Sequence, residues 1–385
     1  MTVITNKINP LGKRSSNSEH EEMKASIHTN RLRIVDLFCG CGGFTAGVIE
    51  AAINNKYHPE ISLAIDSDSE AINVFNLNFE NYIKRLEVTD IRKLFSGELG
   101  KPYTDIENRL KIELDNIDIL IAGPPCQGHS DLNNRTRRDD PRNGLYLRAI
   151  RAIEILSPEI TIIENVASVV HDKSEVVQTS INYLKKINYK VEAVKINASE
   201  YGVAQKRKRH FLLAHKKHLD SSLENHLLNQ KTKPKVLKDV ISDIVDEYKE
   251  KKGIFFTPSV MHKDNKKRVA YLFEKNKYNL PDDHRPNCHK NNKHSYVSMY
   301  GRLKWAEPAQ TITSGFGSMG QGRFVHPSRE RVITPHEAAR IQGFSDKFKF
   351  SCADKRTKLH QMIGNAVPPP IAIILASIFL QKFER

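Results

Sequence analysis

Residues 31–68 constrain the fold most tightly. The stretch 31–38 reads Arg-Leu-Arg-Ile-Val-Asp-Leu-Phe, a strand composition, and runs straight into the turn Cys39-Gly40-Cys41-Gly42-Gly43. A helix-like run follows over 44–53, and a second apolar strand, Ile61-Ser62-Leu63-Ala64-Ile65, ends at Asp66-Ser67-Asp68. Strand, glycine turn, helix and strand in that order make the first half of a doubly wound, Rossmann-like α/β sheet. Glycines in such a turn let a nucleotide approach the backbone, and an acid one βαβ unit later accepts both hydrogens of a ribose diol. Phe38, directly before the turn, is positioned to lie against an adenine ring. The turn departs from G-x-G-x-x-G, since the next glycine after Gly40, Gly42 and Gly43 is Gly47. A nicotinamide or flavin fold is the generic alternative.

A second junction carries a nucleophile. The apolar run Ile117-Asp118-Ile119-Leu120-Ile121-Ala122 stops at Gly123-Pro124-Pro125-Cys126-Gln127-Gly128, which reads as a buried strand with an abrupt end. Proline fixes φ near −65°, so two in succession hold the next residue in a defined position. That position is the C-terminal sheet edge, where open α/β folds bind ligands. Cys126 is therefore a positioned thiol, or else a small buried cysteine beside a turn, the commoner fate of the residue type. Glu164 follows a further apolar strand, Ile160-Thr161-Ile162-Ile163, at the same edge. A closed pocket raises a carboxyl's pKa enough for it to carry a proton; a surface ion pair is the plain alternative. Arg207 and Arg209 alternate with Lys206 and Lys208, which puts the arginines on one side of a strand and the lysines on the other. For the lysines a solvated basic patch is the preferred reading.

With 385 residues the chain can bury a large core and build two domains. A net charge of +15 attracts polyanions. Nucleic acid is the default partner, although a membrane surface or heparin would suit basic character alone. No run of eighteen apolar residues exists, so no transmembrane helix is expected. Residues 1–30 are polar and lack the apolar centre of a secretory signal, and they read as a flexible tail. Five scattered cysteines, an odd count, argue against a disulfide framework and for a reducing, intracellular setting. Cys39-x-Cys41 has no zinc spacing, and Cys288 with His284, His289 and His294 fits no standard pattern, so no metal site is expected.

In chain order, Asp36-Leu37-Phe38-Cys39-Gly40-Cys41-Gly42-Gly43, Pro124-Pro125-Cys126-Gln127, Glu164-Asn165-Val166, Gln205-Lys206-Arg207-Lys208-Arg209 and Gly364-Asn365-Ala366-Val367 closely resemble the DNA (cytosine-5) methyltransferase family. The resemblance runs from about Arg31 to the C-terminus, except for about a hundred residues after His215. It implies a catalytic, S-adenosylmethionine-binding α/β domain at 31–215 and a smaller, mixed target-recognition domain with its supporting motif at 216–345. Residues 346–385 would then return to the catalytic domain. Phe38, Gly40, Gly42 and Gly43 would line the cofactor, Asp66 would hold its ribose, and Ser67 would lie beside the adenine. Asp90 and Ile91 would read the adenine edge, though a helix N-cap before Arg92 accounts for Asp90 equally well. Pro124, Leu145, Asn365 and Val367 would complete the site. The motif around Leu145 carries an inserted-looking Asn143.

The same resemblance implies the reaction. Carbon 5 of cytosine is a poor nucleophile, and addition of the Cys126 thiolate to carbon 6 makes it electron-rich. Glu164 would meet ring nitrogen 3, Arg209 the cytosine carbonyl and Glu164, and Arg207 a backbone phosphate. The base must first leave the duplex stack. Gln127, Ser130, Arg135, Arg137 and Arg138 would close on the DNA. Lysine clusters at 231–238, 249–252 and 263–268 would touch phosphates, while Arg302 and Thr313 would read bases. The motif from Arg331 to Phe344 would support the recognition domain. The partners implied are duplex DNA and a restriction endonuclease of the same specificity, for a monomeric, cytoplasmic, prokaryotic enzyme. A tRNA cytosine-5 methyltransferase of the same fold and an inactive DNA-binding relative are the rivals.

Overall fold

Short apolar strands alternate with helices along the first half of the chain, and they assemble into one seven-stranded sheet. The computed structural model describes residues 30–125, 144–171, 175–216, 222–244, 251–290 and 298–381. In chain order the sheet region comprises β1 (Arg31–Leu37), α1 (Gly43–Asn54), β2 (His58–Asp66), α2 (Ser69–Phe79), β3 (Leu86–Val88), α3 (Asp105–Glu113), β4 (Ile119–Ala122), α4 (Gly144–Leu156), β5 (Ile160–Val166), α5 (Val176–Lys186), β6 (Lys190–Asn197), β7 (Gln205–Lys206) and β8 (Lys208–His215). Then come α6 (Leu223–Asn229), α7 (Leu237–Ile241), α8 (Lys263–Glu274), β9 (Ala309–Gln310), α9 (Pro335–Gln342), α10 (Arg356–Asn365) and α11 (Pro369–Leu380).

The strand order is β3-β2-β1-β4-β5-β8-β6. Strands β1 to β5 run parallel, while β8 lies antiparallel to both β5 and β6. The chain therefore winds outward from β1 to β3 and resumes on the other side at β4. A crevice opens where the winding reverses, at the C-terminal ends of β1 and β4, and ligands of such sheets bind there.

One core fills the face of α1 and α11, including Val48, Phe75, Ile371, Leu375 and Phe379. A second fills the face of α4 and α5, including Leu120, Ile150, Ile153 and Leu184. Helices α1 and α11 meet at Gly47, where an added Cβ would sit 2.4 Å from the Pro369 carbonyl oxygen. An eighteen-residue window within Arg356–Leu380 is long and apolar enough to cross a membrane, yet 67% of it is buried. The apolarity of this stretch serves the cores, and Pro368 separates its two helices.

Beyond β8 the chain folds back on the sheet. A third core joins Cys41, Ala71 and Val74 to Leu237, Ile241, Leu303, Phe324, Ile341, Phe344 and Leu359. A small fourth core of Val269, Leu272, Leu280, Tyr300, Val325 and Val332 belongs to the later segment alone. The pairing of β7 with β9 links Gln205 to Ala309 in register. Glu337, fully buried, anchors α9: it closes a capping box with Thr334 and takes both Nη atoms of Arg331 at 2.7 Å. The motif expected to support the later segment is thus built around one buried carboxylate.

Candidate active site

A cleft of about 320 Å³ occupies the crevice, a size within the roughly 300–1,000 Å³ of small-molecule sites. Its walls are the ends of successive strands: Phe38 and Gly40 after β1, Asp66, Ser67 and Asp68 around the end of β2, Gly123 to Pro125 after β4, and Glu164 on β5. Arg207 and Arg209 close one end, and Asn365, Ala366 and Val367 cover it from the junction of α10 and α11. Residues 300 positions apart in the chain share this one hollow.

At the β1–β2 end the backbone takes left-handed conformations at Phe38 and Gly40. Phe38 has φ 63°, a left-handed conformation that costs a non-glycine residue on the order of 1–3 kcal/mol. Gly40, at φ 53°, has empty space where a Cβ would project. Its amide donates to Asp66 Oδ2 at 2.9 Å, and Asp66 Oδ1 accepts from the Asp68 amide at 2.9 Å. Burial pushes the Asp66 carboxyl up, with these amides and Asp68 modifying the shift. Below it, Asp36 is 1% exposed and bonded by the Thr45 hydroxyl, and burial pushes its carboxyl up to about 8.

At the β4–β5 end the groups are reactive. Asn165 Nδ2 donates to the Pro124 carbonyl at 3.3 Å and ties the proline turn to β5. Glu164 is 7% exposed, and its Oε1 lies 2.8 Å from Arg209 Nε. The antiparallel register pairs Val166 with Arg209, which brings that arginine to the edge of the sheet beside Glu164. Along 205–209 the chain alternates: Gln205 and Arg207 are buried, Lys206 and Lys208 exposed.

Arg207 lines the cleft but is 2% exposed, and its Nη1 donates to the carbonyls of Ile312 at 3.1 Å and Gly364 at 3.0 Å. Several other expected site residues lie off the cleft wall. Gly42 is a packing glycine, with φ 94° and an added Cβ only 2.2 Å from the Phe79 ring. Asp90 caps a short 3₁₀ turn, accepting from the Arg92 amide at 2.9 Å, and Ile91 is buried; neither is a wall residue of the cleft. Leu145 packs in the same core as Phe38 rather than on the wall. Arg302 braces its own segment, with its guanidinium 4.1 Å from the Phe273 ring centre and Nε donating to the Pro327 carbonyl at 2.7 Å. Thr313 backs onto Gly364, whose Cβ, if present, would meet its carbonyl carbon at 2.4 Å. Cys126, Gln127, Ser130, Arg135, Arg137 and Arg138 lie outside the described residues. The chain enters Cys126 directly from Pro125, a wall residue.

Wall residues unread in the sequence include Asp36, Asp68, Gln361 and Met362. Asp36 left a visible signal, an acid inside Ile34-Val35-Asp36-Leu37. Gln361 and Met362 left none, because their role depends on α10 returning across the sheet.

A family model described as C-5 cytosine-specific DNA methylase matches residues 32–379. The chain is 45% identical over 352 residues to the Type II methyltransferase M1.BsuMI of Bacillus subtilis (strain 168), covering 91% of this chain and 81% of the relative. It is 29% identical over 404 residues to the Type II methyltransferase M.DdeI of Desulfomicrobium norvegicum, covering 92% and 90%. The solved S. pombe Dnmt2 methyltransferase has the same fold, with a TM-score of 0.65 at 16% identity over 92% of this chain and 100% of that one.

Proposed function

Because the chain belongs to the C-5 cytosine-specific DNA methylase family and is thus an S-adenosylmethionine-dependent DNA (cytosine-5) methyltransferase, we propose that it works through a covalent bond from Cys126 to carbon 6 of an extruded cytosine. Its substrate would be one cytosine in a specific duplex sequence, and its role the modification half of a type II restriction-modification pair. One observation carries this reading. A single cleft joins a nucleoside trough, Gly40 with Asp66, to a Glu164–Arg209 ion pair, and the proline turn leading into Cys126 lies between them.

S-adenosylmethionine, when bound, supplies the methyl group from its sulfonium. Asp66 would accept from the ribose diol and Phe38 would cover the adenine, with Ser67 alongside. Asn365 and Val367 would hold the amino-acid end, opposite the open side of Gly40. At the other end the sulfur of Cys126 adds to carbon 6, and ring electrons shift toward carbon 5 while charge gathers at nitrogen 3 and the carbonyl oxygen. Glu164 would bond nitrogen 3, and Arg209 would serve both the carbonyl oxygen and Glu164. Once carbon 5 carries the methyl, a water or hydroxide takes its proton, the electrons left behind re-form the double bond between carbons 5 and 6, and the sulfur–carbon bond breaks to release the Cys126 thiolate. Residues 216–345 would read the sequence, with their lysine clusters adding phosphate contacts that carry no sequence information.

Cys126→Ala is expected to abolish methyl transfer to duplex DNA and leave specific DNA binding largely intact. Undiminished methylation in that variant, or transfer to tRNA in preference to duplex DNA by the unaltered protein, would overturn the reading.

A further inference from the structure

The motif that begins at Gln205 does more than present arginines. Gln205 and Gln342 are both fully buried, and their side chains form one continuous chain of hydrogen bonds. The Ile312 amide donates to Gln205 Oε1 at 2.8 Å, Gln205 Nε2 donates to Gln342 Oε1, and Gln342 Nε2 donates to the Ala366 carbonyl at 2.6 Å. The two ends fix its direction, since a backbone amide only donates and a backbone carbonyl only accepts. Both side chains must therefore accept at one end and donate at the other, which glutamine does and an ionised glutamate cannot.

This chain of bonds joins three parts of the molecule. Gln205 belongs to β7, beside the arginines of the reactive end; Gln342 ends α9; Ala366 is a wall of the cleft between Asn365 and Val367. Its first donor, Ile312, lies in the segment expected to read DNA, and the carbonyl of that residue is taken by Arg207. Ile312 is thus held at both its amide and its carbonyl by residues two apart in the chain. A shift of the segment around 312 would pull directly on Ala366.

We propose that Gln205 and Gln342 are positioning residues that couple the recognition segment to the cofactor wall, so that seating DNA and seating the cofactor favour one another. This rests on reading the cleft as the S-adenosylmethionine site. Coupling between two sites is reciprocal and is measured as a change in one affinity caused by the other ligand. The test uses the full chain, S-adenosylhomocysteine as a non-reacting probe, and a duplex bearing the sequence that the unaltered protein is found to methylate.

In the unaltered protein the probe is expected to tighten duplex binding by a factor in the range of about 5–150. Gln342→Glu keeps the volume and sets a carboxylate oxygen against the Ala366 carbonyl, which only accepts, and Gln342→Met removes both bonds of that side chain. Each should reduce the factor to below about threefold while duplex affinity without the probe changes little. An unchanged factor in both variants overturns the proposal, as does an equal loss of duplex binding with and without the probe, the mark of a merely structural role. No coupling in the unaltered protein overturns it as well. Failure of the unaltered protein to bind the probe at all would instead sink the cofactor reading on which the proposal stands.

Discussion

Asp36 is the clearest case of a single side chain shaped by its surroundings. An acid in an apolar strand leaves water entirely, and burial raises its carboxyl from 3.8 to about 8, partly opposed by the Thr45 hydroxyl. The stability it contributes is fully present below its unfolded value near 3.8 and is lost as pH rises through about 8. Asp36→Asn removes that loss. Its melting temperature relative to the unaltered protein should climb steadily from about pH 5 to about pH 8, and a constant difference across that window would contradict the assignment. The turn glycines separate in the same way. Gly42→Ala drives a Cβ against the Phe79 ring at a strained φ and should cost about 2–4 kcal/mol in a urea melt. Gly40→Ala meets open space at a left-handed φ, so it should cost only about 1–2 kcal/mol of stability while weakening cofactor binding. Equal destabilisation by the two would show that both are structural. Sequence alone could not divide them, because the difference lies in Phe79, which α2 brings back to the turn.

Among the elements, α1 and α11 define how closely the C-terminal return approaches the sheet. Gly47→Ala would put a methyl 2.4 Å from the Pro369 carbonyl and 2.5 Å from the Ala372 side chain. We expect a loss of about 1–3 kcal/mol on chemical denaturation, and no loss would mean that the helices part freely. The strands were legible where they were apolar and ended at an acid or a glycine, as at Asp66 and Gly123; β5 instead runs on through Glu164 to Val166, past the end of the apolar run 160–163. Insertion of β8 between β5 and β6 was not legible, since periodicity says nothing of which neighbour a strand selects. The alternation over 205–209 gave the sides of Arg207 and Arg209 correctly. It could not reveal that Arg207 faces Ile312 and Gly364, because those partners lie 105 and 157 residues away.

Over the whole molecule, one sheet edge brings Gly40 and Asp66 together with the Glu164–Arg209 ion pair in a single cleft, while a later segment packs on the same sheet through a shared core. The net charge of +15 supplies attraction to DNA without selecting a sequence. In the proposed mechanism, this arrangement serves one chemical event, attack by the Cys126 sulfur on a pyrimidine ring. Duplex DNA with 5-fluorocytosine at the methylated position tests that event directly, because fluorine at carbon 5 cannot leave as a proton does. With S-adenosylmethionine present, the fluorinated strand should remain bonded to the protein through denaturing electrophoresis, and should not do so with Cys126→Ala. A strand that migrates freely after incubation with the active, unaltered protein would contradict the account.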